Sequence, residues 1–181
     1  MTKPIQPPAS PEQPTRRRRK RGAPTPALHI GWREWVGLPE LGVPMVKAKI
    51  DTGARTSAIH AWKMEPFQRD GQIWLRFELH PEQRSKQGAV TCEAPVVDRR
   101  QVKSSGGHVT NRYVIRTTLT LGTGSWPIEL TLTNRDQMGF RMLLGRTALK
   151  HGVLIDPARS FLASADLVPP RRRPRSKPPS D

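Results

Sequence analysis

The sequence predicts an all-β domain: a small strand-rich barrel, closed or nearly closed, with one short helix near its C-terminal end and a disordered basic tail on either side. Three observations carry this reading. Apolar and polar residues alternate with period two over 45–50, 113–121 and 126–132, the signature of half-buried strands. Glycine-containing turns separate the alternating runs, and only 147–151 reads as a helical turn, closed by Gly152.

Taken in order, 30–36 opens the domain as an alternating strand, with Trp32 and Trp35 as core or dimer packing, and 38–44 supplies a turn. In the next strand Met45, Val46, Ala48 and Ile50 provide apolar positions, and Lys47 and Lys49 lie on the opposite face. A third strand covers 56–62, and 64–68 with 72–79 form a hairpin around Arg69-Asp70-Gly71. Residues 81–88 are a polar loop. Residues 89–103 read as edge strands because Pro95 interrupts them. Ser104-Ser105-Gly106-Gly107 is the most flexible point of the domain and sits between two β-segments that could pair around it. Residues 113–121 and 126–132 make the clearest hairpin, around Gly122-Thr123-Gly124-Ser125, and 153–155 returns to strand.

Asp51 breaks this pattern. Aspartate is a poor strand residue, yet it follows directly on the strand ending at Ile50 and is followed by Thr52 and Gly53. Gly53 allows a tight turn or a close approach by another chain, Thr52 can donate its hydroxyl across the gap, and the carboxylate is displayed at the tip of a strand-turn-strand. Taken alone, the triplet also fits an ordinary surface turn.

With its apolar lead-in, Asp51-Thr52-Gly53 resembles the active-site loop of aspartic proteases. Downstream, Leu143-Leu144-Gly145-Arg146 matches the apolar-apolar-Gly-Arg segment that, in retropepsin-like proteases, lies beneath the catalytic loop and buttresses it. Together IGWREWVGLPELGVP, DTGARTSAIHA and MGFRMLLGRTAL make the span 30–162 similar to a bacterial retropepsin-like family. Its members carry the label ATP-dependent zinc protease or are linked to the ribosomal-protein-modification system. The resemblance implies Asp51, Thr52 and Gly53 as the catalytic loop, with Leu143, Leu144 and Gly145 as its structural support. It also implies a flap over the cleft, for which 104–107 is the candidate; an ordinary surface turn fits that loop equally well.

Aspartic protease chemistry needs two facing carboxylates, because like charges a few ångströms apart share one proton. This chain has one such triplet, and Asp98, Asp136 and Asp156 lack its context. A homodimer with Asp51 of each subunit meeting on a two-fold axis completes the site. Arg55, Arg112, Arg116 and Arg146 are candidate substrate-binding residues, since guanidinium groups facing the cleft favour acidic side chains or carboxylate tails. Structural pairing is the alternative, above all for Arg146, whose counterpart in retropepsins holds the loop or dimer. The resemblance points the same way, because relatives are associated with a ligase that adds glutamates to a ribosomal protein and with trimming of such tails.

No cofactor is expected. His60, Cys92, Glu93 and His108 are metal-ligand types without metal-site spacing, and the chain has no G-x-x-x-x-G-K-[ST] loop for ATP. His60 reads as a strand residue and Cys92 as a small buried apolar one.

The 181 residues divide into a Pro/Arg-rich tail over 1–27, one domain over 28–167 and a second such tail over 168–181. More than half of the net charge of +16 lies in the tails, with seven Lys or Arg against one acidic residue in the first and five against one in the second. Basic tails suit polyanions such as RNA or the ribosome, or simply keep the chain in solution. A competing function is therefore a non-enzymatic β-barrel adaptor that binds RNA or the ribosome, although the scattered Trp and Phe residues suggest no stacking platform. A single cysteine, no apolar leader and no membrane-length apolar run point to a soluble cytoplasmic protein without membrane contact.

Overall fold

The structure is a computed structural model, and it describes residues 27–82, 88–103, 107, 109–134, 139–149 and 152–167. Both expected tails, apart from Ala27, lie outside these residues, as do three of the four flap positions, His108 and Asp136.

Eleven strands form among the described residues: β1 (Leu28–Gly31), β2 (Arg33–Leu38), β3 (Val43–Asp51), β4 (Ser57–His60), β5 (Trp62–Arg69), β6 (Gln72–Leu79), β7 (Val90–Lys103), β8 (Val109–Leu121), β9 (Gly124–Thr133), β10 (Met142–Gly145) and β11 (Val153–Asp156). Nine of them join in one sheet of order β2-β3-β10-β4-β9-β8-β7-β6-β5, and β1 pairs in parallel with β11. The fold is all-β, as the alternation predicts.

The sheet is not the closed barrel expected from the strand count. β2 and β8, the strands that would have to join, meet at one backbone pair, Gly37 with Thr120. Space is tight there, since a Cβ on Gly37 would lie 2.4 Å from the Thr120 hydroxyl oxygen. The seam is reinforced by Glu40, which accepts the N–H (3.1 Å) and hydroxyl (2.6 Å) of Thr118. The Thr118 hydroxyl chiefly holds the Glu40 carboxyl below its usual range. Beyond β8 the sheet runs on to a free edge at β5.

The expected helix at 147–151 is also absent from the described residues. Gly145–Leu149 is a turn closed by Ala148 N–H to Gly145 O (3.0 Å) and Leu149 N–H to Arg146 O (3.2 Å), while Lys150 and His151 lie outside the described residues. The helical segments that do form are single 3-10 turns at Pro39–Leu41 and Ala165–Leu167.

β7 is one strand of 14 residues, where Pro95 suggested an interruption. The proline is tolerated because it sits where the strand exchanges partners: Val90 to Pro95 pair with β6, and Val96 to Lys103 pair with β8 through a bulge. The hairpin expected around the flap thus exists, with Lys103 opposite Val109. The 30–36 strand is split at Trp32, whose N–H bonds Arg159 O (2.9 Å) while its carbonyl accepts Ile50 N–H (2.9 Å).

One apolar cluster fills the inside of the sheet, with Phe77, Leu119, Leu130, Met142 and Leu144 fully buried. Cys92 belongs to it, its thiol bonding Leu41 O (3.3 Å) and pushed up to about 11 by burial. We expect Cys92 to resist a thiol reagent at pH 8 in the native protein and to react fully in denaturant; rapid labelling of the native chain would contradict this packing. On the outer face of the β5–β6 hairpin, Phe67 and Trp74 meet at 6.5 Å with Arg69 and Arg76 over the rings. Two aromatic residues that look scattered in the sequence therefore come together. The cations Lys63, Arg69 and Arg76 are paired with Glu78 and Glu93, which leaves no unpaired basic strip across these rings. Among the described residues no helix is long and apolar enough to cross a membrane.

Candidate active site

Asp51 is the last residue of β3, half-buried, and on the same face as Lys47 and Lys49, while Ala48 and Ile50 point into the core. Its carboxylate accepts the Ala54 N–H at 3.1 Å, so the side chain itself turns the backbone out of the strand. Thr52 and Gly53 are exposed, and the Thr52 hydroxyl makes no hydrogen bond among the described residues.

The loop is rigid because of what lies under it. β10 runs between β3 and β4, parallel to the first with Gly145 beside Asp51 and antiparallel to the second with Met142 beside Ile59. The buttress legible in the sequence as Leu143-Leu144-Gly145 is therefore a strand. Past its end, Arg146 N–H bonds Ala54 O (2.9 Å) and its guanidinium bonds Gly53 O (3.1 Å). Thr147 gives its N–H (3.2 Å) and hydroxyl (2.8 Å) to Arg55 O. From the other side the Trp126 indole N–H bonds Ala148 O at 2.8 Å. Four bonds thus tie residues 53–55 to 146–147, leaving the loop few ways to move.

Gly145 is where this packing is tightest. A Cβ there would sit 2.5 Å from the Thr56 carbonyl carbon, 2.6 Å from its oxygen and 2.9 Å from its nitrogen, all backbone atoms. Gly53 differs: its Cβ would meet only an Asp51 carboxylate oxygen, at 3.4 Å. We expect Gly145→Ala to lower stability by about 1–3 kcal/mol in denaturant titration, with Gly53→Ala nearly neutral for the isolated fold. Equal midpoints for the two variants would contradict this geometry.

A row of laterally paired residues crosses the sheet beside Asp51: Lys49, Leu143, Ala58, Thr131, Val114 and Asp98. Leu143 is half-exposed where Met142 and Leu144 are buried, so it belongs to this face and not only to the support beneath the loop. Ala58 and Val114 are buried yet stand outside the main apolar cluster, and form a small floor on the Asp51 side of the sheet.

The four candidate arginines separate. Arg55 and Arg146 are exposed and belong to the Asp51 loop and its buttress. Arg112 and Arg116 are on β8, opposite Arg100 and Glu129 respectively. Arg112 is only 8% exposed, with its Nε–H bonding the Thr110 hydroxyl (3.0 Å), while Arg116 is exposed. Asp98 and Asp156 are engaged elsewhere, Asp98 with Arg100 and the Arg99 N–H, and Asp156 with the Ala158 N–H. Among the described residues neither is hydrogen-bonded within the Asp51 loop. His60 is buried on β4 with its ring 3.7 Å from that of Trp62, and Glu93 takes Arg69 and Arg76. Among the described residues no three His, Cys, Asp or Glu side chains gather as a metal site would require.

The family model described as RimB-like, retropepsin-like aspartic endopeptidase RimB, matches residues 29–166, which include the Asp51 loop and its buttress. The chain belongs to this family. Other similarities of the RimB-like chain are to proteins named probable alpha-L-glutamate ligase. It is 54% identical over 132 residues to one from Shewanella halifaxensis and 51% identical over 136 residues to one from Parasynechococcus marenigrum. These matches take in 73% and 75% of this chain but 29% of each relative, so the chain spans under a third of the length of the curated relatives it matches. The crystal structure of Lpg0085 from Legionella pneumophila, described as a protein of unknown function, superposes with a TM-score of 0.64 at 27% identity, covering 75% of this chain and 98% of that one.

Two features carry little signal in the sequence. Lys49 is marked only as the polar half of an alternation. Glu34 is fully buried and accepts four hydrogen bonds, although its phase with Val36 and Leu38 already places it on the core face.

Proposed function

We propose that this chain is an aspartic peptidase that works as a homodimer, each subunit supplying one Asp51, on acidic peptide tails. The observation that supports it most is the Asp51 loop itself: a half-buried carboxylate at a strand tip, held by one backbone N–H, on a loop lashed to β10, with no second carboxylate bonded to it among the described residues. A two-fold axis through the exposed Thr52-Gly53 apex would bring two such carboxylates face to face, and would use a Thr52 hydroxyl that makes no hydrogen bond among the described residues.

In the paired site one carboxylate is ionised and takes a proton from water as the water attacks the scissile carbonyl. The other is protonated and hydrogen-bonds the carbonyl oxygen, and a proton then passes to the leaving amine as the C–N bond breaks. Arg55 beside the loop favours carboxylate-bearing substrates by charge-assisted hydrogen bonds, and Arg116 would add to that field from β8, while Arg146 holds the Gly53 carbonyl. Relatives named probable alpha-L-glutamate ligase contain a closely similar segment, and that supports oligoglutamate tails, such as those on a modified ribosomal protein, as the substrate class. The basic tails would help hold such polyanionic targets, including those on an RNA-rich particle.

The test is mass spectrometry of a protein carrying a C-terminal oligoglutamate tail, incubated with the native chain or with Asp51→Asn, with and without chelator. Loss of glutamates with the native chain alone, unaffected by chelator, is the expected result. Glutamate loss that persists in Asp51→Asn would end the reading.

A further inference from the structure

We propose that Lys49 is the specificity residue that receives an acidic side chain of the substrate next to the scissile bond; this deepens the peptidase reading and rests on it. Lys49 and Asp51 leave β3 on the same face, two residues apart, which places their Cα atoms roughly 6.7 Å from one another. Leu143 lies beside Lys49 on β10 and Arg33 on its other side on β2. A peptide bound with its scissile carbonyl at Asp51 therefore brings its nearest side chains into reach of the Lys49 ammonium.

Arg55, past the Asp51 turn, is exposed and makes no side-chain hydrogen bond among the described residues, but the other cations on and beside β3 are already engaged. The Arg33 Nε–H bonds the Ser160 hydroxyl (3.1 Å), and its guanidinium lies over Trp32 (4.6 Å) and Phe161 (5.1 Å). Lys47 rests on Trp35, with its Nζ 5.1 Å from the ring centre. Arg146 is committed to the Gly53 carbonyl. Lys49 alone of these four is exposed and makes neither a hydrogen bond nor an ion pair among the described residues. An ammonium held on a rigid strand, with no structural partner and beside the reacting carboxylate, is set to meet a carboxylate delivered by the ligand. Its apolar neighbour Leu143 would carry the methylenes of a glutamate side chain, so the pair reads both the charge and the stem.

The experiment has two arms. In the Asp51→Asn background, binding of a peptide ending in oligoglutamate is compared with binding of the same peptide ending in oligoglutamine. Lys49→Gln is expected to lower the glutamate-over-glutamine binding ratio about tenfold or more, the size of one charge-assisted hydrogen bond. Lys49→Glu should invert the ratio, and Lys49→Arg should restore most of it. Lys63→Gln, which removes the same charge from the free-edge strand, should leave the ratio unchanged. In the Asp51 background the Lys49→Gln loss should fall on KM more than on kcat. An unaltered ratio in Lys49→Gln, or an equal fall in Lys63→Gln, would overturn the assignment even if the native chain hydrolyses the tail. A Lys49-dependent ratio with no hydrolysis by the native chain would uphold the carboxylate site and count against the peptidase reading instead.

Discussion

Asp51→Asn is expected to lower the rate of glutamate removal by about 10²–10⁴-fold, the usual worth of a positioned proton-transfer group, while leaving the folded chain intact. The sparing of the fold follows from geometry. The side chain is half-buried and accepts one hydrogen bond, from the Ala54 N–H at 3.1 Å. The amide oxygen of asparagine can accept the same bond, and the pairing of β3 with β10 does not involve the side chain. Thermal midpoints of the two proteins should therefore lie within a few degrees, an order-of-magnitude expectation for a surface change without lost packing. The same variant also tests whether the site is shared. If native and Asp51→Asn subunits are mixed in equal amounts and allowed to exchange, about one quarter of the dimers carry two aspartates, so activity should fall to about a quarter of that of undiluted native protein. Retention of one half would mean that each chain works alone, and the two-fold site would be wrong.

The site was legible where residues conflict with their local setting. An aspartate at the end of a strand and a glycine followed by arginine after two leucines both break the strand pattern, and the structure joins them at the Asp51 and Gly145 pair. Period-two alternation also located most of the strands, because each buries one face against a single core. Closure was not legible. Whether the sheet closes depends on how many pairs β2 and β8 make, and one contact at Gly37 and Thr120 cannot be read from periodicity. Nor was the distinction between Lys47 and Lys49, which are equivalent in the alternation. Only the position of Trp35, across the β2–β3 pair, commits the first and leaves the second unspent.

Glu34 shows the same limit in the core, and it carries the largest expected effect on stability. Its side chain is fully buried. One carboxylate oxygen accepts the N–H groups of Gly31 (2.6 Å), Leu162 (2.8 Å) and Ala163 (3.2 Å). The other accepts the Ser164 hydroxyl, whose oxygen in turn accepts the Trp35 N–H at 3.0 Å. One acidic side chain thus gathers donors from β1 and from the C-terminal segment some 130 residues away, a pairing that no local pattern reports. Glu34→Ala would remove the acceptor of three backbone N–H groups and a hydroxyl at a site where Gly31 and Ser164 are buried and Leu162 and Ala163 half-buried. We expect a loss of about 3–5 kcal/mol in a denaturant titration, a large part of the 5–15 kcal/mol typical of a domain. Glu34→Gln keeps the volume and one accepting oxygen, and Ser164 can still accept from the new amide, so it should cost about 1–2 kcal/mol. The tether bears on the site as well. Released from Glu34, the segment that places Ser160 and Phe161 on Arg33 would loosen, and Arg33 is the lateral neighbour of Lys49. A stability loss below about 1 kcal/mol for Glu34→Ala would show that the segment is held by its apolar contacts instead, and the connection from the buried carboxylate to Arg33 beside Lys49 would be lost.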